Sequence, residues 1–250
     1  MPPSDLQKSA LMSARPLTTI VKEHIDSAER VNAQAIDAVA AALLRTVQAH
    51  GLIYAAGTGH SLALVLESFY RAGGLACIRP VYHPALLPLA GARYSTHAEN
   101  IPGMASLLLE RLDLQPTDIA VVFSHSGLNA VPFELATGFR AHGIPVVAFA
   151  STIHVARARR HPSLLDVADH IIDTGVPYGD AVYPTADGQM SVPLSTVIAA
   201  FLWNVVLSRL VDAARDAAVA LPIWTSSNIS GGNDRNRHLM ASYSPRVPEL

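Results

Sequence analysis

Lysine is nearly absent from this 250-residue chain: Lys8 and Lys22 are the only two, both near the N-terminus, and every other cation is an arginine. A Schiff-base mechanism, which needs a lysine amine, therefore has few places to go. Cysteine is limited to Cys77. One thiol allows neither an intrachain disulfide nor a cysteine-based zinc cluster; it suits a reducing compartment and reads as a small buried hydrophobe. Charge is sparse too, at 15% of residues, with 18 Lys+Arg against 20 Asp+Glu and a formal net charge of -2. That balance leaves no electrostatic footprint for duplex nucleic acid or for an anionic membrane. The opening MPPSDLQKSALMSARP lacks the apolar core of about 7–15 residues that a secretory signal requires. No apolar run reaches about 18 residues without a polar interruption, so a cytoplasmic protein is expected.

What is present is apolar: 50% of residues are hydrophobic and the mean hydropathy is +0.28. A chain of this length buries a substantial core, which excludes a fibrous or disordered protein. The low charge would still leave much apolar surface on a monomer. A homodimer is the minimum expectation.

From Pro16 to about His50, apolar residues such as Ile20, Ile25, Val31, Val39, Leu43 and Val47 recur at helical spacing, with Pro16 suited to a first turn. A different grammar then begins. LIYAAG from Leu52 is a short apolar run stopped by glycine and followed by the helix-compatible SLALVLESFYRAGG. The pattern returns with LACIRPVY, with DIAVVFS before a helix from Asn129 to about His142, with IPVVAFAS, and with ADHIID as a fifth strand. Continuous apolar strands alternating with helices predict an α/β domain with a parallel sheet buried on both faces. A long helix from about Val192 to Ala220 is expected to cover the sheet, and LPIWTSSNISGGNDRNRHLMASY reads as a polar, turn-rich tail. Residues 1–15 are expected to be disordered, 16–240 to form one domain, and 241–250 to be flexible.

In an open parallel sheet, ligands bind beyond the carboxyl ends of the strands. Two loops at such positions stand out. Gly57-Thr58-Gly59-His60-Ser61 starts like a dinucleotide fingerprint but has Leu62 in place of the third glycine, and no GxxxxGK[ST] string occurs. What remains is a glycine turn that lets backbone N–H groups approach a ligand, with the Ser61 hydroxyl at a helix start, an arrangement suited to an anionic oxygen. The plainer alternative is that Gly57 and Gly59 turn the chain and Ser61 caps the helix. The second loop, Ser124-His125-Ser126-Gly127-Leu128-Asn129, gathers two serines, an amide and backbone donors before another helix. It can hold a phosphate without lysine, or serve as an elaborate cap.

GTGHS after a first strand and SHSGLN after a later one resemble the paired phosphosugar-binding loops of the sugar isomerase (SIS) domain family. The wider string from GTGHSLALVLESFYRAGGL through VVFSHSGLNAVPFELA, VPYGDAV and SSNISGGNDRN resembles a bacterial group of stand-alone SIS proteins, over roughly residues 16–240. The resemblance implies a three-layer α/β/α sandwich with a five-stranded parallel sheet, here preceded by a long helix. It implies pairing of subunits and a site that often borrows residues from a neighbour. It further implies a phosphorylated sugar as ligand, with Ser61, Ser124, Ser126 and Asn129 matching its contacts and Gly57, Gly59, His125, Gly127, Ser195 and Thr196 around them. No cofactor is implied, and the eleven histidines show no metal-ligand spacing.

Aldose–ketose isomerisation needs a base beside C1 and C2 and proton exchange between the two oxygens. Glu67, an acid within the apolar LALVLESFY, is one candidate; pairing with Arg71 four residues on is the alternative. Glu99, in YSTHAENIPG, is the leading base because SIS isomerases often place a glutamate between the second and third strands. Its alternative is a loop charge favoured by a helix dipole. His60 and His125 sit in the two ligand loops with near-neutral titration, and His60 is preferred for oxygen protonation. His83, His97, His154 and His161 are weaker candidates. One departure stands out. Phosphoheptose isomerases carry a catalytic histidine on their late helix, whereas PLSTVIAAFLWNVVL has none. Asp180 or His238 could replace it, or could serve a turn and a surface. An isomerase is the first expectation, a lyase or etherase using the same carboxylate the second, and a non-catalytic sugar-phosphate sensor the third. Direct DNA binding is disfavoured, because only about 50 residues precede the first strand and they read as one helix.

Overall fold

The computed structural model describes residues 15–159 and 162–250; the expected disorder of the first residues lies outside the described residues. Helix α1, Leu17–Gln48, follows Pro16 and buries a stripe of Ala28, Asn32, Ile36, Val39, Leu43 and Val47; Val39, Leu43 and Val47 are where the helical spacing put them, whereas Val31 is 67% exposed. One member of that stripe is polar. Asn32 is satisfied completely: its amide donates to the carbonyls of Ala28 and Asp173, both at 2.7 Å, and its oxygen accepts from the N–H of Asp173. It thereby ties the helix to the edge of the sheet.

Five parallel strands form that sheet: β1 Ile53–Gly57, β2 Ile78–Val81, β3 Ile119–Phe123, β4 Val146–Ala150 and β5 His170–Asp173, in the spatial order β2-β1-β3-β4-β5. β1, β3 and β4 are buried along their whole length, which is why they read as unbroken apolar runs. Side-chain alternation assigns the two faces. Tyr54 stacks on Phe139 of helix α5, Ala130–Ala141, whereas Phe123 and Phe149 meet Trp203 of helix α7, Ser195–Asp216, edge-on. Helix α2, Leu62–Ser68, joins α1 and α7 on one side, and helix α4, Met104–Leu109, joins α5 on the other. The result is an α/β/α sandwich with five parallel strands. α7 is long and apolar enough to cross a membrane by composition alone. Its Ile198, Leu202, Trp203, Val206 and Leu210 are buried in the core.

Several local expectations fail, each because distant chain decides the outcome. α2 stops at Ser68 rather than running to the glycines, with Phe69 extended and Tyr70 at φ 43°. Segment 222–224 lies antiparallel to 73–76 through the N–H of Gly73 to Trp224, of Ala76 to Pro222 and of Trp224 to Gly74, which pulls the chain out of the helix. The stretch after β5 folds into an antiparallel hairpin, β6 Ala181–Pro184 with β7 Met190–Pro193, so the long helix expected from about Val192 begins at Ser195. The tail contains helix α8, Gly232–Tyr243. The closing residues, expected to be flexible, are engaged: Val247 is buried, Arg246 donates to Asp118 at 2.7 Å, and Glu249 lies 3.3 Å from buried Arg79.

Candidate functional site

At the carboxyl end of β1 the chain turns through Thr58 and a short 3-10 segment, Gly59–Ser61, into α2. Gly57 is required by proximity: a Cβ there would sit 2.9 Å from the carbonyl oxygen of Ser61. Gly59 is required by conformation, with φ +56°. Ser61 makes no cap bond to α2, so its hydroxyl is not consumed by the helix start.

The neighbouring strand β3 delivers the second loop. Asn129, the residue before α5, also makes no side-chain cap bond. Ser124 Oγ accepts from the N–H of Gly127 at 3.2 Å and Ser126 Oγ accepts weakly from the N–H of Leu128 at 3.4 Å, which leaves both hydroxyl protons free to donate outward. The 12-residue α5 directs its positive end to the same place.

Helix α3, Ala92–Ala98, brings up Glu99 as its last cap. The Glu99 Oε2 atom accepts a 2.7 Å hydrogen bond from the buried Thr58 hydroxyl, and its backbone oxygen accepts from the N–H of Val131 at 3.0 Å. On the far side, Asp180 accepts from the N–H groups of Leu194 and Ser195, at 2.9 and 2.6 Å, and from the Ser195 hydroxyl at 2.7 Å. It caps the first turn of α7 from fifteen residues upstream.

These groups converge on one cleft of about 340 Å³, walled by the two loops, by Pro88, Ala92, Ser95 and Thr96 before Glu99, and by Asp180 and Ser195. Gly59, His60, Ser61, Glu99, Ser124, His125, Ser126, Asn129 and Ser195 all line it. No lysine or arginine does, and neither Glu99 nor Asp180 has an ion-pair partner among the described residues.

His125 meets His154 of helix α6, Thr152–Ala158, edge-on with ring centroids 4.9 Å apart, and His154 lies against Tyr178 at 4.6 Å. Both ring nitrogens of His125 are buried without a partner. Burial holds the His125 imidazole below its ordinary value; nearby Asp180 opposes this and His154 adds to it. His154 is lowered by burial as well, against Asp180. His60 stands exposed on the lip.

Other expected residues fall outside the cleft. Glu67, on α2, is ion-paired with Arg71 just past the end of the helix, the pairing that their spacing of four suggested. Gly57 and Gly127 lie buried behind the loops, the latter accepting from the N–H of Leu164 at 2.8 Å. Thr196 is exposed and borders a small adjoining pocket with Ser61, Ser124, His125 and Ser195. The His83 ring accepts from the N–H of Ala85, His97 and His238 lie on α3 and α8, and His161 lies outside the described residues. Thr58 was missed. Its only sequence signal is a hydroxyl residue held between two glycines.

A roomier pocket of about 590 Å³ lies elsewhere, between the end of α2 and α8. Its arginines and one of its amides are already engaged: Arg71 with Glu67, Arg237 with Asp234, and the Asn236 amide with both backbone groups of Thr225.

A parallel doubly wound sheet, with a serine-rich cleft where β1 and β3 end, defines the class: an α/β ligand-binding domain. The model for the SIS domain matches residues 19–151, and the chain belongs to that family. Among its relatives are a UPF0309 protein of Brucella anthropi, 36% identical over 87% of this chain and 89% of the relative, and the "UPF0309 protein in nagA 3'region" of Lysinibacillus sphaericus, 30% identical over 90% and 94%. Similar solved folds include phosphoheptose isomerase GmhA from Neisseria gonorrhoeae, with a TM-score of 0.48 and 16% identity over 84% of this chain and 99% of that one. Another is the Vibrio vulnificus NanR protein complexed with ManNAc-6P, with a TM-score of 0.47 and 8% identity over 95% and 72%.

Proposed function

We propose that this chain binds a phosphorylated sugar in the cleft and acts as an aldose–ketose sugar-phosphate isomerase. The observation that carries the reading is the juxtaposition of two chemistries in one cleft. Ser124, Ser126 and Asn129 at the start of α5 offer donors to a phosphate, and Glu99 offers a carboxylate held in place by Thr58. In this reading the Glu99 carboxylate takes the proton from the aldose C2. The C–H electron pair forms the C1–C2 double bond and the carbonyl pair moves to O1. After a proton passes from O2 to O1, Glu99 returns its proton to C1 and the ketose carbonyl forms at C2. Ser61 and Ser195 supply further polar contacts along the sugar chain, and His60 meets the ligand from the solvent side.

The protein is read as cytoplasmic and as a homo-oligomer with the cleft near a subunit interface. Leu89, 97% exposed beside Pro88 on the cleft wall, supports a partner there. One observation favours a second reading. The start of α7 brings only Ser195 and Thr196 to this region and no histidine, which suits a sugar-phosphate sensor that binds without turnover.

Proton NMR in deuterated water separates the readings, with a panel of aldose and ketose phosphates that includes aminosugar and muramate phosphates. Solvent exchange beside the carbonyl with aldose–ketose conversion is expected for wild type, and Glu99→Gln is expected to keep binding and lose exchange. Exchange with release of a C3 substituent would select a lyase. Binding without exchange would select the sensor.

A further inference from the structure

We propose that Thr58 is a positioning residue for Glu99, its hydroxyl deciding which carboxylate oxygen is left to take a proton from the ligand. The inference rests on reading Glu99 as the base, and it concerns a residue that neither the family resemblance nor the spacing of the motif assigns.

A glutamate side chain has three rotatable bonds, and a base must hold its oxygen close to the reacting carbon. A misplacement of about 1 Å can lower a rate by about 100-fold. Glu99 sits at the last turn of a seven-residue helix, which by itself fixes little. Two bonds from outside that helix hold it. The N–H of Val131, in the first turn of α5, donates to its backbone oxygen at 3.0 Å, so the backbone of the base is attached to the helix whose start faces the ligand. The Thr58 hydroxyl donates to Oε2 at 2.7 Å, so the side chain is attached to the first ligand loop. The first ligand loop and the helix that follows the second thus each grip the base once.

Thr58 is suited to this and to little else. It is 5% exposed, so its hydroxyl has little access to water. A hydroxyl has one proton to donate, and Thr58 gives it to Glu99; toward a ligand it retains only lone pairs. Its backbone is extended, φ -134° and ψ 160°, the conformation in which a β-branched side chain has few alternatives. Next to it, Gly59 bears no side chain, and a Cβ there would lie 3.5 Å from the same Oε2 atom. With Oε2 held from this side, Oε1 has no protein partner among the described residues and is the oxygen available for proton transfer.

The test uses Thr58→Val, which keeps shape and backbone preference but removes the donor, and Thr58→Ser, which keeps the donor. With a sugar phosphate that wild type converts, Thr58→Val is expected to lower kcat about tenfold with KM within about twofold, and Thr58→Ser to stay within about twofold of wild type in both. A raised KM at unchanged kcat would make Thr58 a ligand contact and overturn the proposal. Wild-type kinetics in Thr58→Val would overturn it as well.

A second measurement needs no turnover. In protein labelled with ¹³C at glutamate carboxyls, the Glu99 resonance, assigned by its loss in Glu99→Gln, is expected to move in Thr58→Val and to return in Thr58→Ser. Should wild type exchange no proton with any sugar, the isomerase reading fails while this resonance still decides the clamp, and an unmoved resonance rejects it. In wild type alone, the Thr58 hydroxyl proton is expected to be protected from solvent exchange and close to the Glu99 side chain. Rapid exchange of that proton would overturn the proposal even if the valine variant failed to fold.

Discussion

Hydroxyl protons distinguish the two ends of the cleft. Ser124 and Ser126 accept from backbone N–H groups and keep their protons for a ligand, whereas Ser195 gives its proton to Asp180 and Thr58 gives its own to Glu99. The first pair suits an anionic oxygen. Ser195 can only accept, so it suits a ligand hydroxyl or N–H. Ser126→Ala is accordingly expected to weaken the binding of inorganic phosphate and of a sugar phosphate alike, each about tenfold, the worth of one hydrogen bond. Ser195→Ala is expected to weaken only the sugar phosphate. Calorimetric titration of both ligands into both variants checks this, and equal losses for phosphate would reject the division of roles.

Such assignments were only half legible in the chain. The glycine and serine strings after β1 and β3 announce where a ligand binds, because turn chemistry is local. The direction of each hydroxyl is set by partners far away in sequence: Thr58 meets Glu99 across 41 residues and Ser195 meets Asp180 across 15. No spacing rule reaches that far. Glu67 and Glu99 looked alike as isolated acids. What separates them is that Arg71, four residues on and past the helix end, pairs with Glu67, whereas Glu99 is carried to the sheet edge.

At the scale of elements, the loop after β3 and helix α6 press two imidazoles together, and β5 carries a third that is half-buried. Burial lowers His125, His154 and His170 below their ordinary 6.5. The sign follows from proton counting. Below about pH 6.5 the unfolded chain binds protons on these rings that the folded chain does not, so stability is full above that pH and falls as pH drops toward the folded values. Thermal melts are expected to give a lower Tm at pH 5.5 than at pH 7.5, with a smaller difference in the double variant His125→Asn, His154→Asn. An undiminished difference in that variant would place the acid sensitivity elsewhere. Helices and strands themselves divide by how local their causes are. β1, β3 and β4 were legible as apolar runs. The early end of α2 was not, because segment 222–224 imposes it, and α8 was not, because its sequence has no apolar stripe to betray it.

For the whole molecule, the ends of the strands separate ligand chemistry from stability. The cleft lies where the strands finish. Asp118 lies where β3 begins, its side chain fully buried, accepting from the N–H groups of Leu52 and Gln115 and from Arg246. Removing one member of a buried pair leaves the other charge unpaired, so Arg246→Ala is expected to cost about 3 kcal/mol in urea unfolding. Sugar-phosphate affinity of the folded fraction is expected to stay unchanged. A loss below about 1 kcal/mol would show that the two backbone donors alone suffice for Asp118.

The packing of α1 against α7, with Asp37 beside Arg209, joins elements that lie near opposite ends of the chain. A ribosome working at about 5–20 residues per second takes on the order of ten seconds to travel from Gln48 to Ser195. Throughout that interval the apolar stripe of the 32-residue α1 exists without the helix that covers it. The nascent chain thus has a waiting period built into its architecture, in which a chaperone or an early sibling chain can reach the stripe before α7 does.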